Sequence, residues 1–163
     1  MSEQVLNAMT VDVEDFFHVS AFESIIDPSQ WQEYQPRVDA NTRRLLDLFA
    51  KHNVKSTFFV LGWVAERYPE LISEIHRQGH EIASHGYAHR RATEQSRDEF
   101  FNDVKRSKDH LENLVGERIT GYRAPSFSIG YDNEWAFEVL AELDFGYSSS
   151  TYPVKHDLYG APD

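Results

Sequence analysis

Two histidines four residues apart, His85 and His89, stand in Ala83-Ser84-His85-Gly86-Tyr87-Ala88-His89, directly after a short apolar run. Imidazoles at that spacing can turn to one side of a helical turn and share a metal ion. The chain has 8 histidines, so the pair alone is a weak signal. It gains weight from Thr10-Val11-Asp12-Val13-Glu14-Asp15, where three carboxylates crowd the end of an apolar strand. A third stretch, Gly121-Tyr122-Arg123-Ala124-Pro125, adds an arginine at another strand end. Two neutral imidazoles and one carboxylate leave open positions on a divalent cation, so that a water and a substrate oxygen can both reach it. A second carboxylate can take a proton from that water, and an arginine beside it can hold and orient it. Together these residue types are equipped for metal-assisted hydrolysis of an amide or ester.

The elements that must bring these residues together follow from the hydrophobic pattern. Val5 to Val13 reads as a first strand. Residues 18–38 form a long connection without sustained period. Its aromatics Phe22, Trp31 and Tyr34 could stack on sugar rings or pack locally. Asp39 is placed to cap a helix running to about His52, with Asn53 as a left-handed stop. Val54 to Leu61 is a second strand ended by Gly62. Trp63 to Gln78 is helical, with Pro69 opening its main part and Gly79 closing it. His80 to Ala83 is a short third strand, and His80 falls at its start, in a structural place away from the site end. Ser84 to Glu94 is the loop of the histidine pair. Ser96 and Glu99 match a capping box that opens a helix to about Val115, terminated by Gly116. Ile119 to Tyr122 is a fourth strand, Asp132 is placed to cap a helix through Leu143, and Phe145 to Ser149 is a fifth strand. The tail His156-Asp157-Leu158-Tyr159-Gly160 has no regular pattern. Strands alternating with helices predict an α/β fold, a parallel sheet covered by helices. The candidate residues all fall at C-terminal ends of strands, where such folds place their sites.

Composition sets bounds. The chain has 163 residues and is 40% hydrophobic and 13% aromatic, which fits a single domain with a real core. Its net charge of -11 argues against non-specific binding to nucleic acid or an anionic membrane surface. Cysteine is absent, so any metal must be held by imidazole and oxygen. No apolar run reaches the roughly 18 residues of a membrane span. Met1-Ser2-Glu3-Gln4 lacks the basic start of a signal peptide, and a cytoplasmic location is expected on that ground.

The wording of several stretches resembles a known family. Thr10-Val11-Asp12-Val13-Glu14-Asp15, Ser84-His85-Gly86-Tyr87-Ala88-His89 and Arg123-Ala124-Pro125 are similar to the first three motifs of NodB-homology polysaccharide deacetylases, carbohydrate esterase family 4. Thr57-Phe58-Phe59-Val60-Leu61-Gly62 and Gly79-His80-Glu81-Ile82-Ala83-Ser84-His85-Gly86 also resemble that family. The match is best to its branch associated with exosortase and exopolysaccharide loci, and includes Gly121-Tyr122-Arg123-Ala124-Pro125-Ser126-Phe127-Ser128 and the tail from His156. The resemblance implies a distorted (β/α)7-type barrel, of which this chain carries about five strands. Residues 1–163 are then the N-terminal part of the catalytic domain. It also implies one divalent metal ion, zinc by default, and removal of N-acetyl groups from an amino-sugar polysaccharide. By resemblance Asp12 is the general base, Arg123 the arginine that holds it, and His85 and His89 the metal histidines.

Two departures stand out. The family's first motif commonly has adjacent aspartates, whereas here Asp12 is followed by Val13, Glu14 and Asp15. The metal carboxylate could be Glu14, which faces the same way as Asp12 in a strand, or Asp15, if the strand has ended. The hydroxyl residue usual after the first histidine is Gly86 here, so a hydroxyl that could steady the loop is absent. The family's late motif, with the acid that protonates the leaving amine, has no clear match. That acid is expected beyond residue 163, with His156 as an untested stand-in. Two alternatives remain at this point: hydrolysis of a small linear amide on the same fold, and a non-catalytic carbohydrate-binding fragment.

Overall fold

A computed structural model describes residues 7–156 and residue 160. It is an α/β fold with five parallel strands: β1 (Thr10–Val13), β2 (Thr57–Val60), β3 (Glu81–Ser84), β4 (Gly121–Tyr122) and β5 (Tyr147–Ser148). The strand order is β1-β2-β3-β4-β5, without reversal. Right-handed crossovers that always step in one direction lay every helix on one face. The helices accordingly touch one another: α1 (Val38–His52) meets α3 (Pro69–Arg77), and α4 (Arg97–Val115) meets α2 (Gly62–Arg67), α3 and α5 (Trp135–Glu142).

The register separates the two faces. Val13, Phe58, Val60 and Ile82 turn to the helices and share a core with Leu46, Phe49, Leu71, Ile72, Ile75 and Leu111. Each such side chain contributes about 1.5–3 kcal/mol by leaving water. The other face carries Asp12 opposite Phe59 and Ala83, and Thr10 opposite Thr57 and Glu81. That row is largely polar, and Thr57 Oγ1 and Tyr147 Oη both donate to Glu81.

Several expected boundaries shift. Val5 and Leu6 lie outside the described residues, as do Asp157, Leu158 and Tyr159 of the tail; β1 is Thr10–Val13. The connection over 18–38 contains two 3-10 helices, Ser20–Phe22 and Pro28–Glu33, the second opened by an Asp27 capping box. Trp31 is buried there, so packing rather than an exposed stacking surface accounts for it. Asp39 does not cap α1. It lies inside the first turn and pairs with Arg43 at 3.0 Å. Asp132 does not cap α5 either; it sits in the 3-10 helix Tyr131–Asn133, and Asn133 Oδ1 accepts from Gly130 N–H instead. Asn53 and Gly116 do close their helices in left-handed geometry, and Ser96 with Glu99 forms the capping box of α4. The expected helix Trp63–Gln78 breaks at Tyr68, because the residue before Pro69 is pushed out of helical geometry. Gly62 opens α2 rather than merely ending β2; a Cβ there would stand 2.5 Å from the Tyr87 ring.

Candidate active site

Glu14, His85 and His89 converge beyond the C-terminal ends of β1 and β3. One ligand atom from each lies within 4.8 Å of the others, the one such group of three among the described residues. Glu14 Oε2 is 2.9 Å from His89 Nε2 and 3.8 Å from His85 Nε2. Yet Glu14 Oε2 is buried and no donor points at it. Three such ligand atoms close together, one from each residue, are what a shared cation requires. The donor set of two imidazoles and one carboxylate fits a divalent ion.

His85 is oriented by the chain itself. Its Nδ1 lies 2.8 Å from the Arg123 carbonyl oxygen. A carbonyl can only accept, so Nδ1 carries the proton and Nε2 presents its lone pair toward Glu14. Burial holds His85 below its ordinary 6.5, against the opposing pull of Asp12 and Glu14, so the ring is neutral at neutral pH. For Glu14, burial pushes the carboxyl up, but His89, His85 and His18 outweigh it, and the group ends below the ordinary carboxylate value.

The histidine spacing works differently from a helical turn. His85 to Arg90 is irregular, with Gly86 at φ 74 and His89 at φ 51. A non-glycine residue in that region costs roughly 1–2 kcal/mol. The loop's polar backbone is accounted for on both sides. Gly62 N–H donates to Gly86 O at 2.9 Å and Trp63 N–H to Tyr87 O at 3.0 Å. From α4, Asp103 Oδ2 accepts from Tyr87 N–H at 2.8 Å. Burial pushes Asp103's carboxyl up, against the pull of the Tyr87 and Ala88 amides. The steadying group that Gly86 cannot supply thus comes from Asp103, which carries no signal in the sequence.

Asp12 and Arg123 form the second part of the site. Arg123 Nη1 donates to Asp12 Oδ1 at 2.6 Å. Its Nη2 reaches Ser149 Oγ at 2.9 Å and Thr10 Oγ1 at 3.2 Å, and the guanidinium lies over the Phe59 ring at 4.0 Å. Sequence reading named Asp12 and Arg123 but missed the supports Thr10, Ser149 and Phe59. The loop after Arg123 is itself tied down, with Ser126 Oγ 2.6 Å from Ser20 Oγ and Ser128 Oγ accepting from Ala92 N–H.

Asp15 is not in this group. Its Oδ2 accepts from Arg37 N–H at 2.5 Å and Val38 N–H at 2.9 Å, and its Oδ1 from Phe16 N–H. It therefore caps α1 from a distance, filling the place expected of Asp39. Of the two open candidates for the metal carboxylate, the geometry groups Glu14 with the histidines. His18 lies beside them, its Nδ1 accepting from Asp15 N–H at 2.8 Å and its ring among Phe17, Trp31 and Trp63. Burial lowers it to about 4. His156, the stand-in for an acid, is exposed in the tail.

The sequence profile of the polysaccharide deacetylase family matches residues 31–147. A peptidoglycan-N-acetylglucosamine deacetylase of Bacillus cereus is 35% identical over 99 residues, which cover 60% of this chain and 36% of that protein. The peptidoglycan-N-acetylglucosamine deacetylase PgdA of Listeria monocytogenes is 34% identical over 130 residues, covering 75% of this chain and 28% of that protein. A crystal structure from Mycobacterium smegmatis, assigned as a polysaccharide deacetylase, superposes with a TM-score of 0.75 at 32% identity over 91% of this chain and 52% of that one. The chain thus spans 28% to 52% of the length of these relatives.

Proposed function

The chain belongs to the polysaccharide deacetylase family, and from that premise we propose that it is the N-terminal part of a metal-dependent deacetylase domain. Its substrate is an N-acetylated amino-sugar polysaccharide, handled in exopolysaccharide or cell-wall metabolism. The observation that carries this reading is the convergence of Glu14, His85 and His89, with the Asp12–Arg123 pair on the same end of the sheet.

Glu14, His85 and His89 would hold one divalent ion, zinc by the preference of its donor set. When bound, such an ion polarises the acetamide carbonyl and makes a water a better nucleophile at neutral pH. The protein's own residues do the rest. Arg123 fixes Asp12 through Oδ1, so the second carboxylate oxygen is presented in one direction. Asp12 takes the proton of the water as its oxygen attacks the carbonyl carbon. The carbon–nitrogen bond then breaks, the sugar nitrogen takes up a proton, and acetate and a free amine result. Thr10, Ser149 and Phe59 hold Arg123, so the base is positioned before substrate arrives.

The test is acetate release by the full-length protein from N-acetylglucosamine oligomers, run beside a small linear amide. The reading expects acetate from the oligomers and little turnover of the small amide. Turnover of the small amide without acetate from any amino-sugar oligomer would contradict it.

A further inference from the structure

The loop between His85 and His89 is gripped from α4 by a carboxylate that no sequence motif marks. Asp103 Oδ2 accepts from Tyr87 N–H at 2.8 Å. That amide lies in the short stretch that separates the two imidazoles. That stretch turns through left-handed geometry at Gly86, φ 74, and at His89, φ 51. A Cβ on Gly86 would stand 2.9 Å from Asp103 Oδ2. Glycine and carboxylate therefore fit one another: the bare backbone lets the carboxylate come close enough to take the next amide. On the opposite side, the N-terminus of α2 holds the loop's carbonyl groups through Gly62 and Trp63. The backbone between the imidazoles has little freedom left.

We propose that Asp103 is a positioning residue for the metal centre. By fixing the Tyr87 amide it sets the turn that delivers His89 Nε2 beside Glu14 Oε2. This rests on the reading of Glu14, His85 and His89 as metal ligands. Asp103 is outside the ligand group, so its effect passes through the backbone.

The experiment is zinc affinity, measured by competition with a chromophoric chelator on metal-stripped full-length protein. The forms compared are wild type, Asp103→Leu, Asp103→Asn, Gly86→Ala, and His85→Ala as the ligand-deleted reference. Melting temperatures of the metal-free forms are recorded alongside. Loss of a partner that orients a ligand typically weakens metal binding by about 10–100-fold, and Asp103→Leu is expected in that range. Gly86→Ala is expected to shift affinity the same way. Asp103→Asn keeps one side-chain oxygen and is expected to fall between, with a metal-free melting temperature near that of wild type. Wild-type affinity in folded Asp103→Leu and Asp103→Asn, with none in His85→Ala, overturns the positioning role and leaves the metal site standing. A lowered metal-free melting temperature with unchanged zinc affinity marks a purely structural role and overturns it too. If Asp103→Leu does not fold, Asp103→Asn decides alone, and unchanged affinity there is the refutation. Equal zinc binding by wild type and His85→Ala removes the metal-site reading itself, and this inference with it.

Discussion

The two ends of β3 each carry a buried histidine, and they use it in opposite ways. At the N-terminal end His80 Nδ1 accepts the Ser56 N–H at 3.2 Å, and the ring packs against Phe58 and Phe49. Because Nδ1 accepts, Nε2 carries the proton of the neutral ring. At the C-terminal end His85 Nδ1 faces the Arg123 carbonyl, so the proton is on Nδ1 and Nε2 presents its lone pair toward Glu14. Both rings are buried, and burial depresses both below 6.5. Depth and residue type do not separate them; the polarity of one backbone partner does. Cavity size does not separate the ends either. A cavity of about 410 Å³ lined by His76, His80 and Glu117 lies at the N-terminal end, and one of about 240 Å³ lies beside Asp12 and Glu14. The larger cavity is remote from the converging carboxylate and imidazoles.

This contrast can be broken most sharply by exchanging which histidine is removed. His85→Ala or His89→Ala is expected to abolish metal binding and activity, whereas His80→Ala keeps the metal and loses only stability; elemental analysis of the purified variants reads this. At the site end, Asp12→Asn is expected to lower acetate release by roughly 10²–10⁴-fold with the metal retained, the usual contribution of a general base. Metal loss in Asp12→Asn would reverse the assignment of base and ligand.

A third test uses pH. His18 is lowered to about 4 in the folded chain, against the ordinary 6.5. Between those values the unfolded chain holds a proton that the folded one does not. Stability of the metal-free protein is therefore expected to fall as pH drops from 6.5 toward 4, by up to about 3 kcal/mol from this group, and this contribution levels off below 4. His18→Phe should flatten that part of the slope in denaturant titrations at several pH values. The smallest expected effect separates Asp15 from Glu14: Asp15→Ala should cost about 1–2 kcal/mol as a lost helix cap and leave metal stoichiometry unchanged.

The alternation of strands and helices was legible because most helix-facing strand residues are apolar and several helices have their own end signals. The capping box at Ser96 and Glu99 and the stops at Asn53 and Gly116 are local chemistry, and local chemistry is written in sequence. Asp39 misled because a good capping residue near a helix start is no use when another acceptor already meets the free amides. At α1 that acceptor is Asp15, 23 residues before Val38, and no window on the sequence spans the two. The same holds for the site. His85, His89, Asp12 and Arg123 show through their types and strand-end positions. Glu14 and Asp15 are adjacent and alike, and only the turn after β1 sends one toward the histidines and the other toward α1. Asp103 and Ser149 were invisible because each acts across a tertiary contact from an ordinary-looking position.

The most direct test of the account is anomalous diffraction at the zinc absorption edge from crystals of the full-length protein grown with zinc. The account predicts one strong peak between Glu14 Oε2, His85 Nε2 and His89 Nε2, with Asp15 still bonded to the Arg37 and Val38 amides. A peak ligated by Asp15, or no peak at the two histidines, would contradict it.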